Sequence, residues 1–388
     1  MQTSSARVRS IPPTVFSEMS ALALRTGAVN LGQGFPDVDG PPSVIAEAVR
    51  ALEGGANQYA PGIGVPSLRQ AVARHQQRHY GLEVDPDTEV VVTTGCTEGI
   101  AGALLGLVDP GDEVVVLEPY YDSYLAMIQM AGGVRRPVTL RAPDFRLDVD
   151  ALRAAVTPRT RLVLLNTPHN PTGTVLTRDE LQAVADVAIE HDLVVVTDEV
   201  YEHLVFDHHE HVPLATLPGM WERTVTLSSV GKSWSFTGWK VGWATGPREL
   251  VGAVLAAKQW LTFTSGSPLQ PAVAHALDHE PDWPAALAKS LQERRDLLVA
   301  GLADAGLTAR VPEGTYFATT DISHLGWADG REFCLALPAV AGVVAIPSQA
   351  FYDDEEAGRH LVRWAFCKEP DVIREGVRRL AAADLSRR

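Results

Sequence analysis

The chain has 388 residues, 46% hydrophobic and 21% charged, a globular composition long enough for one large and one small domain. Its net charge of −15 excludes a general nucleic-acid-binding or anionic-membrane surface but leaves room for a local basic pocket. Three scattered cysteines without a C-x-x-C spacing, no signal-like apolar core at the start and no bilayer-length apolar run give the expectation of a cytoplasmic, disulfide-free enzyme.

Short β-branched runs alternate with helical patterns along the chain. "EVVVTTG" (Glu89–Gly95) leads into the helical "CTEGIAGALLGLV", and "DEVVVLEP" (Asp112–Pro119) follows. "RLVLLNTP" (Arg161–Pro168), the helical "DELQAVADVAIEHD", "LVVVTDE" (Leu193–Glu199), "TVTLSS" (Thr224–Ser229) and "KVGWATG" (Lys240–Gly246) come next. Near-continuous apolar strands separated by helices predict a largely parallel sheet covered on both faces. "PRELVGAVLAAKQWL" predicts a long helix. From about Pro284, the helix "AALAKSLQERRDLLVAGLADAG" and strand signals around "GTYFATTDI" and "HLVRWAFCK" predict a smaller α+β unit. The expected division is an arm over residues 1–45 packing with the small domain, a large domain over 46–283 and the small domain over 284–388.

Only five lysines occur, Lys232, Lys240, Lys258, Lys289 and Lys368, while arginine supplies most of the positive charge. An arginine stays protonated; a lysine in apolar surroundings can lose its proton and attack a carbonyl. Lys232 lies in "SSVGKSWSFTGWKVGWATG", and Lys240 follows eight residues later.

In open α/β sheets ligands bind beyond the carboxyl ends of the strands. Gly95-Cys96-Thr97, "NTPHNPTG" (Asn166–Gly173), Asp198 with Tyr201, and Ser228, Ser229 and Lys232 each follow a predicted strand. A reactive amine, a carboxylate, a phenol, an amide and a phosphate cradle at one edge match the needs of pyridoxal 5′-phosphate. Two other features are discounted. The run holding His203, His208, His209 and His211 lacks metal-site spacing, so no metal is expected, and Cys96 reads as a small residue beside phosphate rather than a nucleophile.

Together with "NLGQGFPD", "NQYAPGIGVPSLR", "EPYYDSY", "TDEVYEHL", "GTYF" and "HLVRWAFCK", these motifs resemble the fold-type I aminotransferases of the class I/II group over nearly the whole chain. Within that group the chain is similar to the kynurenine/glutamine/methionine aminotransferases and to actinobacterial N-succinyldiaminopimelate aminotransferases. The resemblance implies an α/β fold with a mostly parallel seven-stranded sheet and a homodimer with shared active sites. It implies transfer of an amino group from an L-amino acid to a 2-oxo acid in two half-reactions. Lys232 resembles the Schiff-base lysine and general base, and Asp198 the partner of the pyridine nitrogen. Tyr201 and Asn170 match donors to the ring oxygen, and Tyr121 the stacking aromatic. Cys96 and Thr97 match backbone donors to the phosphate, Ser229 and Lys240 its side-chain partners, and Tyr59 a phosphate ligand from the other subunit. Arg363 matches the residue that holds the substrate α-carboxylate. Gly34, Phe16, Asn170 and Phe263 match substrate-pocket positions, Phe263 being lent by the partner.

The same scaffold also supports β- or γ-elimination and replacement, which the motifs around the cofactor do not separate from transamination. A cofactor-bearing regulator is disfavoured by the acidic charge and by the lack of a DNA-binding extension.

Overall fold

Runs of valine and leucine build the centre of the molecule. The computed structural model describes residues 4–387; the first three residues of the expected arm and Arg388 at the end of the last segment lie outside the described residues. Seven strands form the main sheet: β1 (Val90–Thr93), β2 (Glu113–Glu118), β3 (Val134–Thr139), β4 (Thr160–Asn166), β5 (Val194–Asp198), β6 (Thr224–Ser229) and β7 (Gly242–Thr245). Their order across the sheet is β1-β7-β6-β5-β4-β2-β3. All pairs among β2 to β6 are parallel, whereas β7 runs antiparallel to both β1 and β6. The apolar runs do not signal this one reversal.

Alternation along the strands assigns side chains to two cores. Val114 and Val116 of β2 face one side, with Ile100 and Leu104 of the helix Gly95–Leu107 and Val251 and Val254 of the helix Arg248–Lys258. Val115 and Leu117 face the other, with Leu181, Val184 and Val187 of the helix Arg178–Glu190. That helix starts in a capping box between Thr177 and Glu180. Both faces being covered explains why β1, β2, β5, β6 and β7 are buried at every position. Each such valine or leucine contributes about 1.5–3 kcal/mol of burial. Only at the partly exposed edge strand β3 does a proline, Pro137, interrupt the run, where no outer neighbour needs its missing N–H.

A second sheet is antiparallel, with β8 (Ala309–Arg310), β9 (Phe317–Asp321), β10 (Ile346–Pro347) and β11 (Leu361–Ala365) in the order β10-β11-β9-β8. The helix predicted from about Pro284, Trp283–Asp304, joins its core through Leu291 and Leu298. Val15, Met19 and Ala23 of the helix Val15–Thr26 enter that same core. Val29–Asn30 pairs in parallel with Val343–Val344, and the Leu31 carbonyl accepts from the Ala365 N–H.

The helix predicted from Arg248 onward stops at Lys258. The Lys258 ammonium donates to the carbonyls of Phe263 (2.7 Å) and Gly62 (2.6 Å), which turns the chain back and leaves Trp260 84% exposed. No helix among the described residues is long and apolar enough to cross a membrane.

Candidate active site

A cavity of about 310 Å³ opens at the carboxyl ends of β1, β4, β5 and β6. Its lining includes Cys96, Thr97, Tyr121, Asn170, Asp198, Tyr201, Ser229, Lys232, Lys240 and Arg363, with Phe16 and Gly34 at the side of the second sheet. Tyr59 and Phe263 do not line it. They meet each other edge-on at 5.7 Å on the surface, where Tyr59 is 84% exposed.

Lys232 sits in a single helical turn, Val230–Ser233, that begins as β6 ends. Ser229 caps this turn by accepting from the Gly231 N–H. The Lys232 ammonium donates to the Tyr316 hydroxyl (3.0 Å), which donates in turn to the Gly34 carbonyl (2.7 Å). Burial brings the Lys232 amine down to about 8, against the opposing pull of Cys367 and Asp198. An amine with that pKa keeps a neutral minority near physiological pH that can act as nucleophile or base.

Asp198 ends β5 and is buried. Its Oδ2 accepts from the Tyr124 hydroxyl at 2.7 Å and its Oδ1 from the Cys96 thiol at 3.3 Å. Burial pushes its carboxyl upward, and these two donors and the Val200 N–H act against that. The Cys96 thiol is raised well above its usual range by enclosure and by the Asp198 charge, so it remains a protonated donor rather than a nucleophile. The Asp198–Val200 bond is an Asx-type turn, and it sets Tyr201 in the turn that follows β5. The Tyr201 ring centroid lies 5.7 Å from the Lys232 ammonium and 5.2 Å from the Tyr316 ring.

Beyond β1 the helix Gly95–Leu107 points its N-terminus into the cavity, with Cys96 and Thr97 in its first turn. Gly95 has φ +68°, and a Cβ there would lie 3.1 Å from the Lys240 Nζ. Glycine therefore lets the second lysine close on the helix start. Tyr121 precedes the helix Asp122–Ala131, and enclosure pushes its hydroxyl up to about 12.

Arg363 lies on β11 in the middle of the second sheet and is 1% exposed. Its guanidinium is ringed by Phe317 (3.9 Å), Phe16 (4.9 Å) and Phe351 (5.3 Å). It donates to the Asn170 Oδ1 (3.1 Å) and the Gly32 carbonyl (2.9 Å), while its buried Nε has no partner. Burial brings its pKa down to about 10. Gly34 is necessary beside it, because a Cβ there would fall 2.4 Å from the Phe317 ring.

Three contributors escape a reading of the sequence. Tyr124 stands three residues after Tyr121 on one helix face, Tyr316 lies in "GTYF", and Asn166 holds the Asp198 carbonyl (2.7 Å) and the Asn170 N–H (2.8 Å). The motifs contain all three; only their side-chain directions give them a role.

The donor set fits pyridoxal phosphate. It joins a buried amine of lowered pKa, a hydrogen-bonded carboxylate, a helix N-terminus beside a lysine, and a desolvated arginine with an unpaired donor.

Residues 26–380 match the family model "Aminotransferase class I and II". A probable N-succinyldiaminopimelate aminotransferase of Mycobacterium tuberculosis is 54% identical over 387 residues, 97% of each chain. The methionine aminotransferase of Escherichia coli is 40% identical over 367 residues, 95% of each. The solved structure of N-succinyldiaminopimelate aminotransferase from Mycobacterium tuberculosis superposes with a TM-score of 0.96 at 55% identity, covering 98% of this chain and 100% of that one. With this sheet, this site and these relatives, the chain belongs to the class I and II aminotransferases and is a fold-type I, pyridoxal-phosphate-dependent aminotransferase.

Proposed function

We propose that this aminotransferase prefers neutral, medium-sized L-amino acids as donors, with Arg363 holding the α-carboxylate and Lys232 moving the α-proton. Pyridoxal phosphate, when bound, supplies an aldehyde that condenses with a primary amine and a protonated pyridine that spreads the electron pair left on the substrate α-carbon. Cys96, Thr97, Ser229 and Lys240 would hold its phosphate, Asp198 its ring-nitrogen proton, Tyr201 and Asn170 its ring oxygen, and Tyr121 its face. The unpaired Arg363 donor is ready for a carboxylate oxygen. Lys232 Nζ takes the α-proton and returns it nearby, oriented by the Tyr316 hydroxyl. In this reading residues 46–283 bind the cofactor, and residues 284–388 with the 1–45 arm complete the substrate side.

One observation carries the preference for neutral donors. The cations lining the cavity are Lys232, Lys240 and Arg363, each already given a task, and its phenylalanine walls are Phe16, Phe35 and Phe317. A distal carboxylate finds no further cation on this chain's lining. A second reading, N-succinyldiaminopimelate as substrate, is favoured by the 54% identity to the mycobacterial protein. Specificity constants for methionine, glutamine, glutamate, aspartate and N-succinyldiaminopimelate separate the two. Methionine or glutamine is expected to lead. A lead of more than about tenfold for aspartate or the succinylated substrate, about 1.4 kcal/mol in the transition state, would overturn the neutral-pocket reading.

The active unit in this proposal is a cytoplasmic homodimer. Trp260, Leu261, Phe263 and Tyr59 form an exposed apolar group near the cavity-side loops, 84%, 47%, 46% and 84% exposed, which suits burial against a second copy. Tyr59 and Phe263 are then the residues that reach the neighbouring site. Light scattering coupled to size exclusion should give twice the chain mass. A fully active monomer at assay concentration would contradict it.

A further inference from the structure

The helix Pro66–Tyr80 places His75 and His79 one turn apart on one face. The turn after β5 brings His203 against them. The Nε2 atoms of His75 and His203 are 2.8 Å apart, and one ring nitrogen from each of the three histidines lies within 4.8 Å of the others. The three ring pairs have centroids at 4.6, 4.8 and 5.0 Å. We propose that His75, His79 and His203 form a three-imidazole site for a divalent transition-metal ion of the zinc class.

Zinc–imidazole bonds are about 2.0–2.1 Å, so two nitrogens on one ion stand roughly 3–3.4 Å apart. His75 and His203 are already close to that spacing. The ring that must swing in is His79, which is exposed and free to do so. The site has a wall and a mouth. Trp234 lies edge-on to His203 at 5.5 Å and to His75 at 6.1 Å, and Trp243 lies 6.4 Å from His75. The mouth is on the His79 side.

A His75–His203 bond uses one Nε2 of each ring and leaves His79 as a third imidazole on the open side. Of the four histidines in the run from His203 to His211, only His203 joins the cluster. His211 pairs with Glu199 at 2.8 Å, and His208 and His209 are exposed.

The ion would tie the helix Pro66–Tyr80 to the turn carrying Tyr201 and Glu202. Glu202 accepts from Ser228, the residue before the capping Ser229, and from Tyr80 at the end of the histidine helix. The site therefore lies directly behind the wall of the reaction cavity.

Calorimetric titration of zinc chloride into chelator-stripped, tag-free holoenzyme tests the proposal. One ion per chain is expected, at micromolar affinity or tighter. The exposed position makes His79→Ala a variant that keeps the fold, and it should weaken binding at least tenfold. His203→Gln should abolish the visible absorption of cobalt substituted at the site. His275 and His279, four apart on the helix Leu269–His279 with no third histidine beside them among the described residues, supply the control: the double alanine variant should bind like wild type. Absence of such an ion in the wild type, unchanged affinity in His79→Ala, or loss of binding in the His275/His279 variant would each overturn the proposal.

Discussion

Replacement of Lys232 by alanine is expected to lower turnover by roughly 10⁴-fold, the upper end of what a positioned general base contributes, with the far-ultraviolet circular dichroism unchanged. The choice among the lysines follows from what each amine touches. Lys258 is also buried, but its ammonium is spent on the carbonyls of Gly62 and Phe263. Lys368 pairs with Asp37 and the Phe35 carbonyl. Lys232 alone among these three faces the cavity, with a tyrosine hydroxyl as its partner. Borohydride reduction of the holoenzyme followed by peptide mapping should place the cofactor on Lys232. The pH dependence has a definite sign. The attacking amine must be neutral, so the rate of cofactor uptake by stripped protein should rise about tenfold per pH unit below about 8 and level off above it. A label on Lys240 or Lys258, or near-normal turnover in Lys232→Ala, would remove Lys232 from its role.

Replacement of Asp198 by asparagine should reduce kcat by about 10²–10³-fold, comparable to the loss of one preorganised electrostatic group in other active sites. The asparagine keeps the shape and most of the hydrogen bonding but supplies no negative charge to hold a proton on the ring nitrogen. Tyr124→Phe makes a graded comparison. It deletes one hydrogen bond to a charged acceptor, worth about 1.5–3 kcal/mol, and should cost about ten- to a hundredfold. Single-turnover absorbance changes with a fixed donor measure both. Asp198→Asn that turns over like wild type would refute the charge argument; equal losses in the two variants would assign the effect to positioning.

What the sequence made legible is chemistry tied to strand ends. Cys96, Asn170, Asp198, Ser229 and Lys232 each follow a β-branched run, and the strand-end rule for open sheets brings them together without coordinates. Arg363 became visible through the motif around it, since nothing in "LVRWAF" itself tells a carboxylate ligand from a structural ion pair. Side-chain direction was not legible. Tyr124 and Tyr316 act through hydroxyls whose partners, Asp198 and Lys232, are 74 and 84 residues away. The scarcity of lysine drew attention to Lys232, yet it gave no warning that Lys258 would be buried for structural reasons. His75 and His79 drew no notice because their third partner is 128 residues from His75, whereas the rest of the conspicuous histidine run divides between a hydrogen bond to Glu199 and solvent.

The reversed strand β7 decides where the chain can travel between its two site lysines. Had β7 run with its neighbours, the chain leaving β6 would have needed a crossover of a dozen or more residues back to the opposite rim of the sheet, and Lys240 would begin its strand far from Lys232. Running the other way, β7 starts at the rim where β6 stops, with Ser229 paired to Gly242. The segment between them never leaves that rim. One short excursion can thus deliver a hydroxyl, a reactive amine and a fixed positive charge to the same small volume. Their mutual spacing is set by two adjacent hydrogen-bonded strands rather than by a flexible loop.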